Sequence, residues 1–179
     1  MTKKEERELK KQQKLEAEIE RIQGMLVYER EYGPHGILCG IDEVGRGPLA
    51  GPVVAGAVIL PKDCRILYLN DSKKLTARRR ELLYDEIMEK AVAVGIGVVS
   101  QEVIDDINIL QATYEAMRQA VGKLSVCPDI LLNDAVTIPG LQQKQVPIIK
   151  GDAKSLSIAA ASVVAKVTRD RMMEALDAK

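Results

Sequence analysis

Five short apolar runs, each rich in β-branched residues, constrain this chain more than anything else in it. They fall at 37–44 (ILCGIDEV), 53–60 (VVAGAVIL), 93–99 (AVGIGVV), 129–135 (DILLNDA) and 145–150 (QVPIIK). Each is too short for a buried helix and has the length of a strand. Helical patterns occupy 76–91, 102–106, 108–124 and 153–177. Too few residues separate the first two runs for a helix to fit, which predicts a hairpin. The later runs alternate with helical stretches, which predicts crossovers and parallel pairing. The expected architecture is α/β, a mixed sheet with helices on both faces. A chain of 179 residues can bury about two-thirds of its unfolded surface, so its stability requires no disulfide or metal staple.

Residues 1–30 read differently. They hold 15 charged residues of both signs and no proline. Leu15, Ile19, Ile22 and Leu26 recur at spacings of 4, 3 and 4, one face of a helix. This predicts a solvated helix docked by a thin apolar stripe; barely two heptads could also form a coiled-coil seam. Gly33, Pro34 and Gly36 follow as a linker. The chain therefore divides into a charged helical extension over 1–32 and an α/β domain over 33–179.

Lysine plus arginine and aspartate plus glutamate are each 26, so bulk charge announces no nucleic-acid partner and any basic footprint must be local. Cys39, Cys64 and Cys127 are scattered without CxxC spacing, which suits a reducing cytoplasm. The charged N-terminus is no secretory signal, and no apolar run approaches the ~20 residues of a membrane span. A soluble, cytoplasmic chain is expected. With no Trp, no Phe and five Tyr, base stacking on aromatic platforms is not the main recognition device.

The chemistry centres on IDEVGRGPLAGP at 41–52. Adjacent strand residues point to opposite faces, so Asp42 and Glu43 place at least one carboxylate toward a covered side. Burying it costs several kcal/mol, about 2–7 for a neutral polar group and more for a charge, unless it is paired or metal-bound. The plain alternative is a strand end, with Glu43 in water and Asp42 capping the next turn. Gly45, Arg46 and Gly47 add exposed backbone groups beside a guanidinium, a grip for sugar hydroxyl and phosphate. The loop is neither a Walker A motif, lacking GK[ST], nor a dinucleotide fingerprint, since Pro48 stands where a helix would begin. Asp134 ends another run, and Asp152 follows eighteen residues later. Taken singly, Asp134 reads as a turn residue and Asp152 as a helix N-cap. If the three strand ends meet, the acids form an oxygen-rich cluster suited to Mg²⁺ or Mn²⁺ in a two-metal phosphoryl-transfer site.

GIDEVGRGPLAGPVVAGAVIL, NDSKKLTARRRELL, the acid of LLNDA, and IIKGDAKSLSIAAASVVAKVTRDR occur in that order. Together they resemble bacterial ribonuclease HII over residues 37–173. The resemblance implies a ribonuclease H-like fold, a five-stranded mixed sheet flanked by helices, here with an extra N-terminal helix. It implies metal-dependent hydrolysis of RNA in RNA/DNA hybrids and incision 5′ of ribonucleotides embedded in duplex DNA, giving 3′-hydroxyl and 5′-phosphate ends. The family's four metal-binding acids fall on Asp42, Glu43, Asp134 and Asp152, with two Mg²⁺ or Mn²⁺ ions expected alongside substrate. The loop reading the RNA–DNA junction falls on Gly45, Arg46 and Gly47, where close backbone contact can test for a 2′-hydroxyl. Asn70, Ser72 and Lys73 match the phosphate-contacting turn, although Ser72 could equally open a polar turn before a helix capped by Thr76. Lys150 and Lys154 flank Asp152 and face phosphate or offset the acids. A monomer is expected.

Other residues receive plainer readings. Asp170, between Arg169 and Arg171, is a rival ligand better placed for an ion pair. Asp105 and Asp106 start or end a short helix. The small residues of SIAAASVVAK let a helix pack close to the sheet. His35, the single histidine, lies in the linker, so a Ser-His-Asp or Cys-His enzyme is excluded. Asn133 is polar where an apolar strand residue is expected. Family members continue beyond MMEALDAK with a helical segment carrying a tyrosine that stacks at the junction. None of Tyr28, Tyr32, Tyr68, Tyr84 and Tyr114 matches that context, which makes a weak or silent hybrid-binding fragment the alternative reading. Another carboxylate nuclease of the same fold is a further competitor.

Overall fold

A computed structural model describes residues 2–47 and 50–178; Pro48, the residue that interrupts the dinucleotide pattern, lies outside them. Five strands form one sheet: β1 (Leu38–Val44), β2 (Val53–Ile59), β3 (Ala93–Val99), β4 (Ile130–Asp134) and β5 (Lys144–Ile148). Their order is β3-β2-β1-β4-β5. The β1–β2 and β2–β3 pairs are antiparallel, and β1–β4 and β4–β5 are parallel. The helices are α1 (Lys3–Gly24), α2 (Val27–Tyr32), α3 (Ala77–Lys90), α4 (Gln101–Ile107), α5 (Ile109–Gly122) and α6 (Leu156–Asp177). The hairpin, the mixed sheet and the helices on both faces all agree with the sequence reading, within one to three residues at most boundaries.

Two connections differ from the simple pattern. β2 and β3 are antiparallel neighbours although α3 lies between them. β4 and β5 are parallel but joined by nine residues with no helix. Val136, Ile138 and Leu141 of that crossover pack into the α5-side core, which replaces the covering helix. Asn133 explains itself here. Its Nδ2 donates to Gln145 Oε1 at 2.8 Å, while the same glutamine amide accepts from Ile138 N and donates to Ile138 O. The polar strand residue clamps the crossover.

The sheet separates two cores. One face carries α6, α3 and the end of α1, with Leu156, Ala160, Val163, Val164, Leu83, Ile87 and Ile22 buried together. The other carries α5, with Ala112, Ala116, Met117 and Ala120 against β1–β3. The small-residue run of α6 lies very close to the strands. A Cβ on Gly40 would come within 2.1 Å of the Ser157 backbone, and one on Gly56 within 2.6 Å of Ala161 O. That approach brings the beginning of α6, and the turn preceding it, to the sheet.

The amino-terminal helix is broken at Met25–Leu26 into α1 and α2. Of the predicted apolar stripe, Ile22 and Leu26 are buried, whereas Leu15 is 42% exposed. Only the last turns of α1 dock. Glu29 of α2 then reaches the start of α6, where its Oε1 accepts from Ser155 Oγ and Ser157 N.

Candidate metal centre and nucleic-acid face

The strand register explains why distant acids meet. β1 and β4 are parallel neighbours, with Ile41 opposite Asn133. One residue further along each strand stand Asp42 and Asp134, on the face covered by α6. The turn after β5 supplies the third acid: Lys150 adopts a left-handed conformation (φ 56°), and the chain enters a 3₁₀ turn over Gly151–Ala153. The Gly151 amide donates to Asp134 Oδ1 at 2.7 Å, locking that turn to the end of β4. Oxygens of Asp42, Asp134 and Asp152 all lie within 4.8 Å of one another. Asp152 does not cap α6; that role belongs to Ser155, whose hydroxyl accepts from Ile158 N.

Glu43, the fourth predicted acid, stands at the rim rather than in this group of three. Its Oε1 lies 3.4 Å from Arg46 Nη1. Its backbone amide donates to Asp42 Oδ1 at 2.8 Å.

The electrostatics follow from crowding. Asp42 is buried, and burial first, then the Glu43 and Asp134 charges, push its pKa well above the usual carboxylate value. The Glu43 amide and the Ser162 hydroxyl act the other way. Asp152 is pushed up to about 6 by partial burial, Asp71 and Asp134, with Lys73 opposing. Burial also raises Glu43, while Arg46 draws it down. Three carboxylates crowded this closely form a donor set of hard oxygens, as a divalent cation such as Mg²⁺ or Mn²⁺ requires.

Around the acids lie residues the sequence reading passed over. Asp71 stands beside Asp152, raising its proton affinity, and caps the Ser72–Lys74 turn by accepting from Lys73 N at 2.9 Å. Ser162 of α6 touches Asp42 on one side. On the other, its hydroxyl is 2.8 Å from Ser72 Oγ and accepts from Ser72 N. Ser72 is therefore buried and holds the turn in place, while Lys73 is exposed. Asn70 Oδ1 accepts from Asp71 N. Lys150 and Lys154 are exposed on either side of Asp152.

Arg169 fixes the glycine loop. Nearly buried, it donates from Nε to Pro52 O and from Nη2 to Ala50 O, at 2.9 and 2.8 Å. Gly45 has φ 104°, and a Cβ there would meet Pro52 O at 2.5 Å and Arg169 Nε at 2.8 Å. Arg46 and Gly47 project from this anchored base into solvent. Asp170 bridges Lys166 at 2.5 Å and Arg80 of α3 at 3.7 Å, the ion pair expected of it. Asp105 and Asp106 are exposed on α4. A cavity of about 650 Å³ opens elsewhere, between α2, the start of β1 and the end of β2. None of the four acids lines it. Among the described residues, no helix is long and apolar enough to cross a membrane.

Comparison with known proteins shows the family. The family model described as Ribonuclease HII matches residues 39–179. The chain is 67% identical over 165 residues to ribonuclease HII of Lachnoclostridium phytofermentans, covering 92% of this chain and 65% of that protein. It is 62% identical over 143 residues to that of Enterococcus faecalis, covering 80% and 56%. The chain thus spans somewhat less than two-thirds of these relatives. The crystal structure of ribonuclease H2 from Pyrococcus horikoshii superposes with a TM-score of 0.71 at 29% identity, covering 79% of this chain and 76% of that one. The chain belongs to the ribonuclease HII family.

Proposed function

We propose that this chain is a metal-dependent endoribonuclease. It hydrolyses the RNA strand of RNA/DNA hybrids and nicks duplex DNA on the 5′ side of an embedded ribonucleotide, leaving 3′-hydroxyl and 5′-phosphate ends. The observation that carries this reading is the meeting of the Asp42, Asp134 and Asp152 carboxylates at one sheet edge, beside a loop with exposed glycine backbone. Asp42, Asp134 and Asp152 would hold a pair of Mg²⁺ or Mn²⁺ ions, with Glu43 joining from the rim. Such ions activate water and stabilise a leaving oxygen when bound.

The remaining work falls to the chain itself. The exposed Arg46–Gly47 backbone, set on the buried Gly45, can approach a ribose closely enough to test its 2′-hydroxyl, the group that separates RNA from DNA. Arg46 exchanges its contact with Glu43 for a substrate phosphate, which frees the Glu43 carboxylate. Lys73, Lys150 and Lys154 present cations to the phosphate backbone, with Asn70 beside them. Ser72 orients that turn from below. Every acid comes from one polypeptide, so a monomer suffices.

The test is to incubate the chain with a duplex holding one ribonucleotide, with and without Mn²⁺, and to map the nick. A nick 5′ of the ribonucleotide that requires the ion is expected. Cleavage of an all-DNA duplex would instead point to another carboxylate nuclease. A gel shift that persists in EDTA, with no cleavage in Mn²⁺, would mark a silent hybrid-binding chain. Asp134→Asn should lower turnover by at least about a thousandfold, as removal of one member of a catalytic unit does, with an unchanged circular dichroism spectrum. Near-normal cleavage by that variant rules out its role.

A further inference from the structure

Nothing in the proposed chemistry uses α1, yet its charges are arranged. At 3.6 residues per turn, Lys3, Lys4, Arg7, Lys10, Lys11 and Lys14 all fall within an arc of about 120°. Glu5, Glu6, Glu8 and Glu16 occupy the rest of the circumference. An ordinary solvated helix sets opposite signs at i, i+4; here Lys3–Arg7, Arg7–Lys11 and Lys10–Lys14 set like charges at that spacing along the stripe, and Lys4–Glu8 and Glu6–Lys10 set opposite ones at its edges. Residues 2–17 are exposed on every side. Among the described residues, none of the six cations has an ion-pair partner. The helix is nonetheless well started: Thr2 and Glu5 form a reciprocal capping box.

The root of the helix shows where the basic stripe leads. Arg21 lies five turns beyond Lys3 on the same line of the helix. Its Nη2 donates to Leu69 O at 2.7 Å. Glu18, on that same side, accepts from Tyr68 N at 2.6 Å. Residues 68 and 69 run directly into Asn70–Lys74. Exposed Lys73, Lys74, Arg78 and Arg79 cluster there, with the Arg79 guanidinium 4.6 Å over the Tyr68 ring. The stripe therefore continues the basic surface that begins beside the carboxylates.

We propose that α1 is a phosphate-tracking arm that grips duplex nucleic acid beyond the cleavage site. From Lys3 to Lys14 the stripe is about 16 Å long, the axial span of four to five phosphates of one strand at about 3.4 Å each. A duplex fits this chemistry better than a membrane, because Leu9 and Leu15 lie on different sides of the helix and leave no apolar face to insert. The arm adds affinity without sequence preference, and its contribution is salt-dependent. The inference rests on the proposed function only for the identity of the duplex.

The test is binding, not cleavage. Fluorescence anisotropy of a labelled RNA/DNA hybrid is followed in EDTA across a salt series. The chain is compared with a variant carrying Lys3→Gln, Arg7→Gln, Lys10→Gln and Lys14→Gln. The slope of log affinity against log salt should become shallower by about two to four, with affinity at low salt reduced by at least about tenfold. A control variant, Glu8→Gln, Glu16→Gln and Glu20→Gln, changes the opposite face and should bind at least as tightly as the parent. Equal slopes in all three proteins overturn the proposal, as does an equal loss in both variants. So does arm-dependent binding to phosphatidylserine vesicles without arm-dependent binding to the hybrid. If metal-dependent cleavage fails while the slope still changes, the arm stands and the catalytic reading falls. If cleavage succeeds with an unchanged slope, the reverse holds.

Discussion

Asp152 is partly buried beside two carboxyl neighbours, Asp71 and Asp134, and carries its proton to about pH 6 in the folded chain against an ordinary value of 3.8. The folded state thus binds this proton more tightly than the unfolded state. The associated stability is fully present below about pH 4 and is lost as pH rises through about 6. Asp152→Asn removes the repulsion. In EDTA at neutral pH the variant should melt higher than the parent, by about 2–4 °C for roughly 1 kcal/mol once solvent screening is allowed for. Near pH 4 the gap should close; scanning fluorimetry at the two pH values checks this. Ser162 offers a second test. Ser162→Ala leaves the buried Ser72 amide without its acceptor and Asp42 without a hydroxyl, so Mn²⁺ affinity measured by calorimetry should drop about ten- to a hundredfold, with Ser162→Thr restoring part of it. Asp42, Asp134 and Asp152, which the fold brings together, were legible as a set only through the motifs that resemble ribonuclease HII; taken singly, Asp134 reads as a turn residue and Asp152 as a cap. Ser162 was not legible. In a run of alanines a serine reads as another small packing residue, and its role depends on Ser72, 90 positions away. Arg169 was hidden likewise, since its partners are loop carbonyls that leave no mark in sequence.

At the scale of elements, two helices lie nearly on the sheet backbone: α5 over β3, where a Cβ on Gly97 would come within 1.8 Å of Ala116 O, and α6 over β1 and β2. A methyl at Gly40 would have to displace helix backbone, not a flexible side chain. Gly40→Ala should therefore destabilise by about 3 kcal/mol or more, the upper range for overpacking, read as a lower urea midpoint with unchanged slope. The strands were legible from their β-branched composition, and the α6 packing from its small residues. The β4–β5 crossover was not. Parallel neighbours normally imply a helix between them, and a bare loop serves instead because Val136, Ile138 and Leu141 enter the core and the Asn133–Gln145 contact clamps it. The break in the N-terminal helix was also missed, because nothing in Gly24–Leu26 forbids a helix; the tertiary burial of Met25 and Leu26 decides it.

Across the whole molecule, the first four turns of α1 stand apart from the cores. Deleting residues 1–17 should leave the thermal midpoint nearly unchanged, within about 0.5 kcal/mol, as for exposed surface changes. Ile22→Ala, in contrast, should cost about 2–5 kcal/mol. Calorimetry of the two variants separates arm from body. The three clustered carboxylates come from β1, β4 and the turn ahead of α6, segments that touch only once the sheet is complete. A divalent cation seated among them therefore acts as a removable rivet, absent from the unfolded ensemble. Melting temperature should climb with ion concentration, by the equivalent of about 2.7 kcal/mol at a hundred times the dissociation constant, and a chelator should reverse the gain. Heat resistance in this chain thus becomes a gauge of cation occupancy that needs no nucleic acid at all.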